Sequence, residues 1–250
     1  VCTLSIIPTQ SGYSAMHSRD ELRDRSVELE PAWHELGDGT KACYPIDPDG
    51  GGTWVAAHEN GFYIGLINLN LSDDELDPDR PIANRSRGLL IPELIKLGNA
   101  QDANTKLDQM DLRGFSPFRM VLIGKKTSGE YEFIAKRFDG VQLEDLQQFS
   151  ALNHPVCYAS SGLGDKLVQC RVPLFESSVA IEPNIENQRQ YHRHQWEDRP
   201  ELSVMMSRPD ARTSSVTSVL VEGGNQPKIL YDRFPIGDPV CDPVGAGMLR

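Results

Sequence analysis

Short runs of β-branched and apolar residues fall in pairs along this chain, each pair joined by a tight-turn signal, and that pairing points to antiparallel sheet. Residues 3–7 end at Pro8, Ser11-Gly12 supplies a turn, and residues 13–17 form the return strand. Residues 53–57 and 62–69 make a second pair around Glu59-Asn60-Gly61, where Asn-Gly favours a primed turn. Residues 118–124 and 131–137 make a third around Thr127-Ser128-Gly129, and residues 156–160, 214–222 and 228–234 read as further strands. Between them, residues 87–97 carry apolar side chains at helical spacing with Pro92 near the start, and residues 101–110 follow as a short amphipathic helix. Residues 143–149 read as one or two helical turns, and the polar stretch 185–196 as a surface helix. Strands, helices, strands, helix, strands is the order of an α+β protein, not the βαβ alternation of a doubly wound sheet.

A chain of 250 residues fits one large domain, and a single domain over residues 1–250 is expected, since no repeat, low-complexity tract or linker interrupts it. Residues 72–87 form an acidic, proline-containing loop. The 36 acidic against 25 basic residues give a formal charge of −11, which repels phosphate backbones, so nucleic acid is not an expected partner. No apolar run approaches the roughly 20 residues needed to cross a bilayer, and no basic-then-apolar leader opens the sequence. No membrane insertion and a soluble, cytoplasmic protein are the expectation.

Cys2, Cys43, Cys157, Cys170 and Cys241 are odd in number, scattered and free of CxxC spacing, so neither a disulfide framework nor a zinc knuckle is indicated. Most read as buried thiols. Cys2 differs, because a cysteine that begins a chain can use its own α-amine, titrating near 8, as a general base.

Six short segments recur in a recognisable order: Cys2; Ser18-Arg19-Asp20-Glu21; Gly51-Gly52-Thr53-Trp54; Ser86-Arg87-Gly88; Ser160-Ser161-Gly162-Leu163-Gly164-Asp165; and Arg208-Pro209-Asp210-Ala211-Arg212-Thr213. In this the chain resembles the NRDE family, also called the transport-and-Golgi-organisation protein 2 family. Ser18 departs from the pattern, standing where the family's name-giving motif has asparagine. The resemblance implies a hydrolase-like fold of the N-terminal-nucleophile type, α+β, a four-layer αββα sandwich of two antiparallel sheets. It also implies that the nucleophile opens the first strand and that Arg19 and Asp20 return to it from the next. Bile-salt and penicillin V acylases have a similar layout, which this chain matches only in its Cys-Thr start and the nearby Arg and Asp.

On that reading Arg19 beside the sulfur favours the thiolate, and Asp20 orients the amine by accepting its hydrogen bond. The structural alternative is a small strand residue beside an ion pair. An acyl-transfer site needs a donor for the developing oxyanion, and Asn68 on the second hairpin is the side-chain candidate, against the alternative of a turn or edge cap. Gly50-Gly51-Gly52 lacks the Lys-Ser/Thr pair of a P-loop and reads as close backbone packing beside the nucleophile. Ser161 to Gly164 is too short for a dinucleotide fingerprint and reads as a loop lining the cleft. His192 and His194 point about 200° apart on a helix and do not chelate jointly there, whereas on a strand they could share a metal; a solvated helix face with Arg193, Glu197 and Asp198 is the alternative. Arg208, Asp210 and Arg212 alternate either toward a pocket or as a charged ladder. His17 and His58 line the cleft or serve as structural residues.

Two functions remain open. One is a cysteine-dependent amidohydrolase cleaving a non-peptide C–N amide through a thioester, resting on Cys2, Arg19, Asp20 and Asn68 and requiring no cofactor. The other is a non-catalytic carrier or chaperone for haem or another hydrophobic small molecule, as the resemblance to proteins implicated in haem trafficking implies. The sequence has no CxxCH haem-attachment motif, so such binding is reversible. Neither the substrate nor the oligomeric state follows from the sequence. Val1 precedes Cys2 and makes the supposed catalytic amine a peptide nitrogen. Either Val1 is the literal translation of an alternative start codon and is removed in the cell, or the chain keeps a residue there and the fold serves binding.

Overall fold

The computed structural model describes residues 2–234 and the backbone of 247–249; Val1 and Cys241 lie outside the described residues. Thirteen strands are described: β1 (Cys2–Pro8), β2 (Gly12–Leu22), β3 (Leu29–Glu35), β4 (Lys41–Ile46), β5 (Val55–His58), β6 (Tyr63–Asn68), β7 (Phe118–Lys125), β8 (Tyr131–Phe138), β9 (Leu143–Phe149), β10 (Val156–Ala159), β11 (Ala211–Glu222), β12 (Lys228–Arg233) and β13 (Gly247–Leu249). Four α-helices accompany them: α1 (Leu90–Ile95), α2 (Ala100–Asp108), α3 (Arg171–Phe175) and α4 (Ile185–His192). The fold is α+β, with all strands in two antiparallel sheets.

The chain forms two compact units. One takes the chain up to Arg25, Asn153–Gly223 and the chain from Lys228; the other takes Ser26–Leu152 with Gly224–Pro227. The first holds a six-stranded sheet in the order β10-β1-β2-β11-β12-β13. The expected hairpin is there, with β1 and β2 in register from Cys2 against Arg19 to Pro8 against Tyr13. One face of this sheet carries α3 and α4, where Ile7 joins Phe175, Val179, Tyr191 and Val204 in a small apolar cluster. Asn184 caps α4, its side chain accepting from the Asn187 amide at 2.8 Å.

The second unit holds a seven-stranded meander, β3 to β9 in chain order. Its helices α1 and α2 bury Leu90, Ile91, Leu94, Ile95 and Leu107 together with Ile64, Leu66, Phe118, Met120 and Leu122 of the sheet. Each such side chain contributes about 1.5–3 kcal/mol by leaving water. Pro92 is the third residue of α1, where no intrahelical amide bond is lost. Gly52 packs so closely on Gly88 that a Cβ on it would sit 2.3 Å from the Gly88 carbonyl carbon, and the Thr53 amide donates to the Gly88 oxygen at 3.1 Å. The close packing of the glycine run is therefore made with the SRG segment, within the second unit, and the two motifs explain each other.

Three local expectations are corrected. Residues 143–149 are strand β9, not helix. The register between β8 and β9 shifts so that Leu146 is the extra residue between Asp145 and Gln147, and this bulge turns an apolar spacing of three into an edge strand. The Asn60-Gly61 turn is not primed, because only Gly61 has positive φ; the amide of Gly61 donates to the His58 carbonyl at 2.9 Å, giving a type I turn closed by glycine. The segment after residue 184 is not merely a solvated surface helix, since Gln188 and His192 are fully buried. Strands β3, β4 and β13 and helix α3 are additional to the sequence expectation.

Candidate active site

Cys2 is the first residue of β1, buried, with Arg19 of β2 as its direct cross-strand partner. Its carbonyl accepts the Ser160 amide at 2.9 Å, so the Ser160-to-Asp165 motif begins against the cysteine. That loop is held by its own bonds, the Ser161 amide to Asp165 Oδ1 at 3.0 Å and the Leu163 amide to Ser161 Oγ at 3.2 Å, with Gly164 at φ 116°. Burial pushes the Cys2 thiol above its ordinary value, the Asp20 charge adds to this, and Arg19 works against it without prevailing. The expected thiolate-favouring effect of Arg19 is thus outweighed by desolvation.

Arg19 is itself buried. Its Nη1 donates to Ser214 Oγ at 3.4 Å and its Nη2 lies 3.1 Å from Glu21 Oε2. Ser214 is the extra residue of a register shift between β2 and β11, which turns its hydroxyl toward Arg19, where it also donates to the Arg19 carbonyl. Asp20 accepts from Thr213 Oγ1 at 2.6 Å, and its second oxygen lies 3.5 Å from Nη1 of the fully buried Arg171. Arg171 Nη1 also donates to Thr3 Oγ1 at 2.8 Å, and its Nε to the Leu202 carbonyl at 3.0 Å. Burial raises the Asp20 carboxyl, and Arg171 and Thr213 pull it back.

Strand alternation separates these residues. Thr3, Ser5, Ser14, Ser18 and Asp20 share the face covered by α3 and α4; Cys2, Leu4, His17 and Arg19 share the opposite face. On the helix face His192 lies 2.7 Å from both Ser5 Oγ and Ser18 Oγ, while Gln188 donates to Ser5 Oγ at 2.9 Å and accepts from Ser14 Oγ at 2.7 Å. The serine that departs from the family pattern, Ser18, is therefore the anchor for His192. The solvated reading of His192 is overturned: burial, with Arg171 adding, pushes its imidazole down to about 3. His194 instead meets the edge of Trp196. Among the described residues no group of three or more His, Cys, Asp or Glu side chains is placed to hold a metal.

Asn68 ends β6 opposite Phe118 and is half-buried; it belongs to the other compact unit from Cys2, Arg19 and Asp20. His58 is a turn residue, its Nε2 3.1 Å from Thr40 Oγ1 and its Nδ1 accepting the Asn60 amide at 3.2 Å. Arg208 pairs with Asp210 at 2.9 Å, and Arg212 donates to the Phe234 carbonyl at 2.8 Å. Sequence reasoning missed Arg171, Gln188, Ser214, Ser215 and Thr217. The signal for Arg171 is a lone cation in an apolar stretch, and for the others small polar residues recurring in strands.

The fold, α+β with two antiparallel sheets, is of the N-terminal-nucleophile hydrolase-like kind. The structure resembles that of the Caenorhabditis elegans N-acylethanolamine-hydrolyzing acid amidase (NAAA) ortholog, with a TM-score of 0.52 and 12% identity over 87% of this chain and 92% of that one. The sequence matches the Transport and Golgi organisation 2 family over residues 15–171, and the chain belongs to that family. No curated protein matches it in sequence. Among the described residues no helix is long and apolar enough to cross a membrane.

Proposed function

We propose that this protein is a cysteine amidohydrolase that cleaves a non-peptide C–N amide bond through a thioester on Cys2. The observation that carries the reading is the pairing of Cys2, buried at the head of a central strand, with a buried Arg19. A strand residue chosen only for packing has no need of a buried guanidinium at its partner position, since burying that charge costs several kcal/mol. The likeness of fold to an amidase supports it.

The proposed reaction requires Cys2 to be the first residue of the active form. The α-amine takes the thiol proton, and sulfur attacks the carbonyl carbon to form a tetrahedral oxyanion. The C–N bond then breaks as the amine leaves with the proton, and water hydrolyses the thioester to release the acid and restore the thiol. Asp20, held by Thr213 and Arg171, fixes the backbone that presents Arg19. The substrate is a small amide, and the site of action is the cytoplasm.

Protein prepared with Cys2 as its first residue is expected to hydrolyse an amide in a broad acyl-amide screen and to accumulate an acyl adduct on Cys2 by intact mass. The Val1 form and Cys2→Ala are expected to be inert. Equal silence from all three, with saturable haem binding, would replace this reading by that of a carrier for a hydrophobic molecule.

A further inference from the structure

On the Cys2 face, His17, Ser215 and Thr217 are buried side chains with polar atoms that have no hydrogen-bond partner among the described residues. The atoms are both ring nitrogens of His17, Oγ of Ser215 and Oγ1 of Thr217. His17 and Ser215 are fully buried and Thr217 is 2% exposed. They are neighbours by register: Thr217 of β11 is the direct partner of His17 of β2, and Ser215 is the direct partner of Arg19 and so diagonal to His17. His17 is in turn diagonal to Cys2 across β1 and β2, a separation of about 7–8 Å between backbones.

Buried polar atoms are satisfied in more than nine cases in ten, and leaving one bare costs about 1–3 kcal/mol. Four such atoms lie together on adjoining strands, whereas the opposite face of the sheet is almost fully paired. What would satisfy them is set by their chemistry. Two hydroxyls and a neutral imidazole offer donors and acceptors together with no net charge, which fits water, a small molecule that both donates and accepts.

We propose that His17, Ser215 and Thr217 form a binding site for ordered water, and that this water cleaves the thioester on Cys2. The second half rests on the amidohydrolase reading. In this step the water oxygen bonds to the acyl carbon, the carbon–sulfur bond breaks, the acid leaves, and the water proton passes through the Cys2 amine to the departing sulfur. His17, Ser215 and Thr217 are positioning residues that hold the water and accept none of its protons.

Two measurements test the two halves. A crystal structure of the full chain is expected to show water within hydrogen-bond distance of at least two of the three side chains, and Thr217→Val to lose it; a dry site, or one closed by bonds to other protein groups, overturns the proposal. With Cys2-first protein and p-nitrophenyl acetate, the burst reports acylation and the later steady rate reports thioester hydrolysis. Thr217→Val and Ser215→Ala are expected to keep the burst and slow the steady rate at least about tenfold. Hydroxylamine, which attacks the thioester without the site, should restore turnover. A steady rate equal to the parent's, or a burst reduced in proportion, overturns the catalytic half. A parent protein with no burst but with water in place sinks the amidohydrolase reading and leaves the water site standing.

Discussion

The two faces of the six-stranded sheet use the same kinds of residue in opposite ways. Under α3 and α4, Thr3, Ser5, Ser14, Ser18 and Asp20 each find a side-chain partner in Arg171, Gln188, His192 or Thr213. Arg171 Nη2 is the exception on that face. Turned over by one residue, His17, Ser215 and Thr217 have none. Even the two histidines are matched, both pushed down to about 3 by burial, yet His192 is bonded through both nitrogens and His17 through neither. A closed polar network of the first kind fixes structure, while the open one of the second kind is where we place the ordered water.

The largest effect expected from this contrast is at Arg171. Arg171→Met keeps the bulk but leaves the Asp20 carboxylate buried with Thr213 alone and strips the donor from Thr3 Oγ1. Breaking a buried pair on one side typically costs about 3–5 kcal/mol. Urea unfolding is expected to show a loss in that range. A change below about 1 kcal/mol would mean that the helix-face network is not what holds this sheet.

The next is an acid sensitivity shared by the two faces. Both histidines stay neutral in the folded protein down to about 3 and protonate near 6.5 once unfolded. The unfolded chain therefore binds more protons between those values. Their contribution to stability is complete above about pH 6.5 and is lost as pH falls toward 3, at up to about 1.4 kcal/mol per pH unit for each histidine. Asp20, raised by burial, works in the opposite sense as it takes up a proton in the folded state. Urea midpoints from pH 7 to pH 4.5 should fall, and His17→Leu should make the fall shallower. The same slope in His17→Leu and in the parent would show that His17 does not stay neutral when buried.

The antiparallel sheets were legible because alternation and turn residues are local. The pairs 3–7 with 13–17 and 118–124 with 131–137 need only neighbours in sequence, and β1 with β2 and β7 with β8 contain them. β9 was not legible, because its apolar spacing of three means helix unless the bulge at Leu146 is known, and that bulge is set by the partner strand. At the candidate site, Cys2, Arg19 and Asp20 were named from motifs. What lay beyond reach was the division of faces, which puts Arg19 on the side of Cys2 and Asp20 on the side of Arg171, a residue 151 positions away along the chain. The role of Ser18 was hidden for the same reason: its partner His192 is 174 positions away.

The smallest expected effect compares one hydroxyl from each face. Ser18→Ala removes one of the two hydroxyls that hold His192 and leaves the Nδ1 side of a fully buried ring unsatisfied. That should cost about 1–2 kcal/mol, since the desolvated nitrogen keeps its penalty while losing its bond. Thr217→Val removes a hydroxyl that has no partner among the described residues, replaces it with a methyl group of similar size, and keeps a β-branched residue in a central strand. Its folding stability should stay within about 0.5 kcal/mol of the parent. Urea midpoints of the two variants, measured at pH 7 where both histidines are neutral, decide the matter. Equal losses would mean that Thr217 is as firmly bonded inside the protein as Ser18, and the two faces would then differ in composition and not in kind.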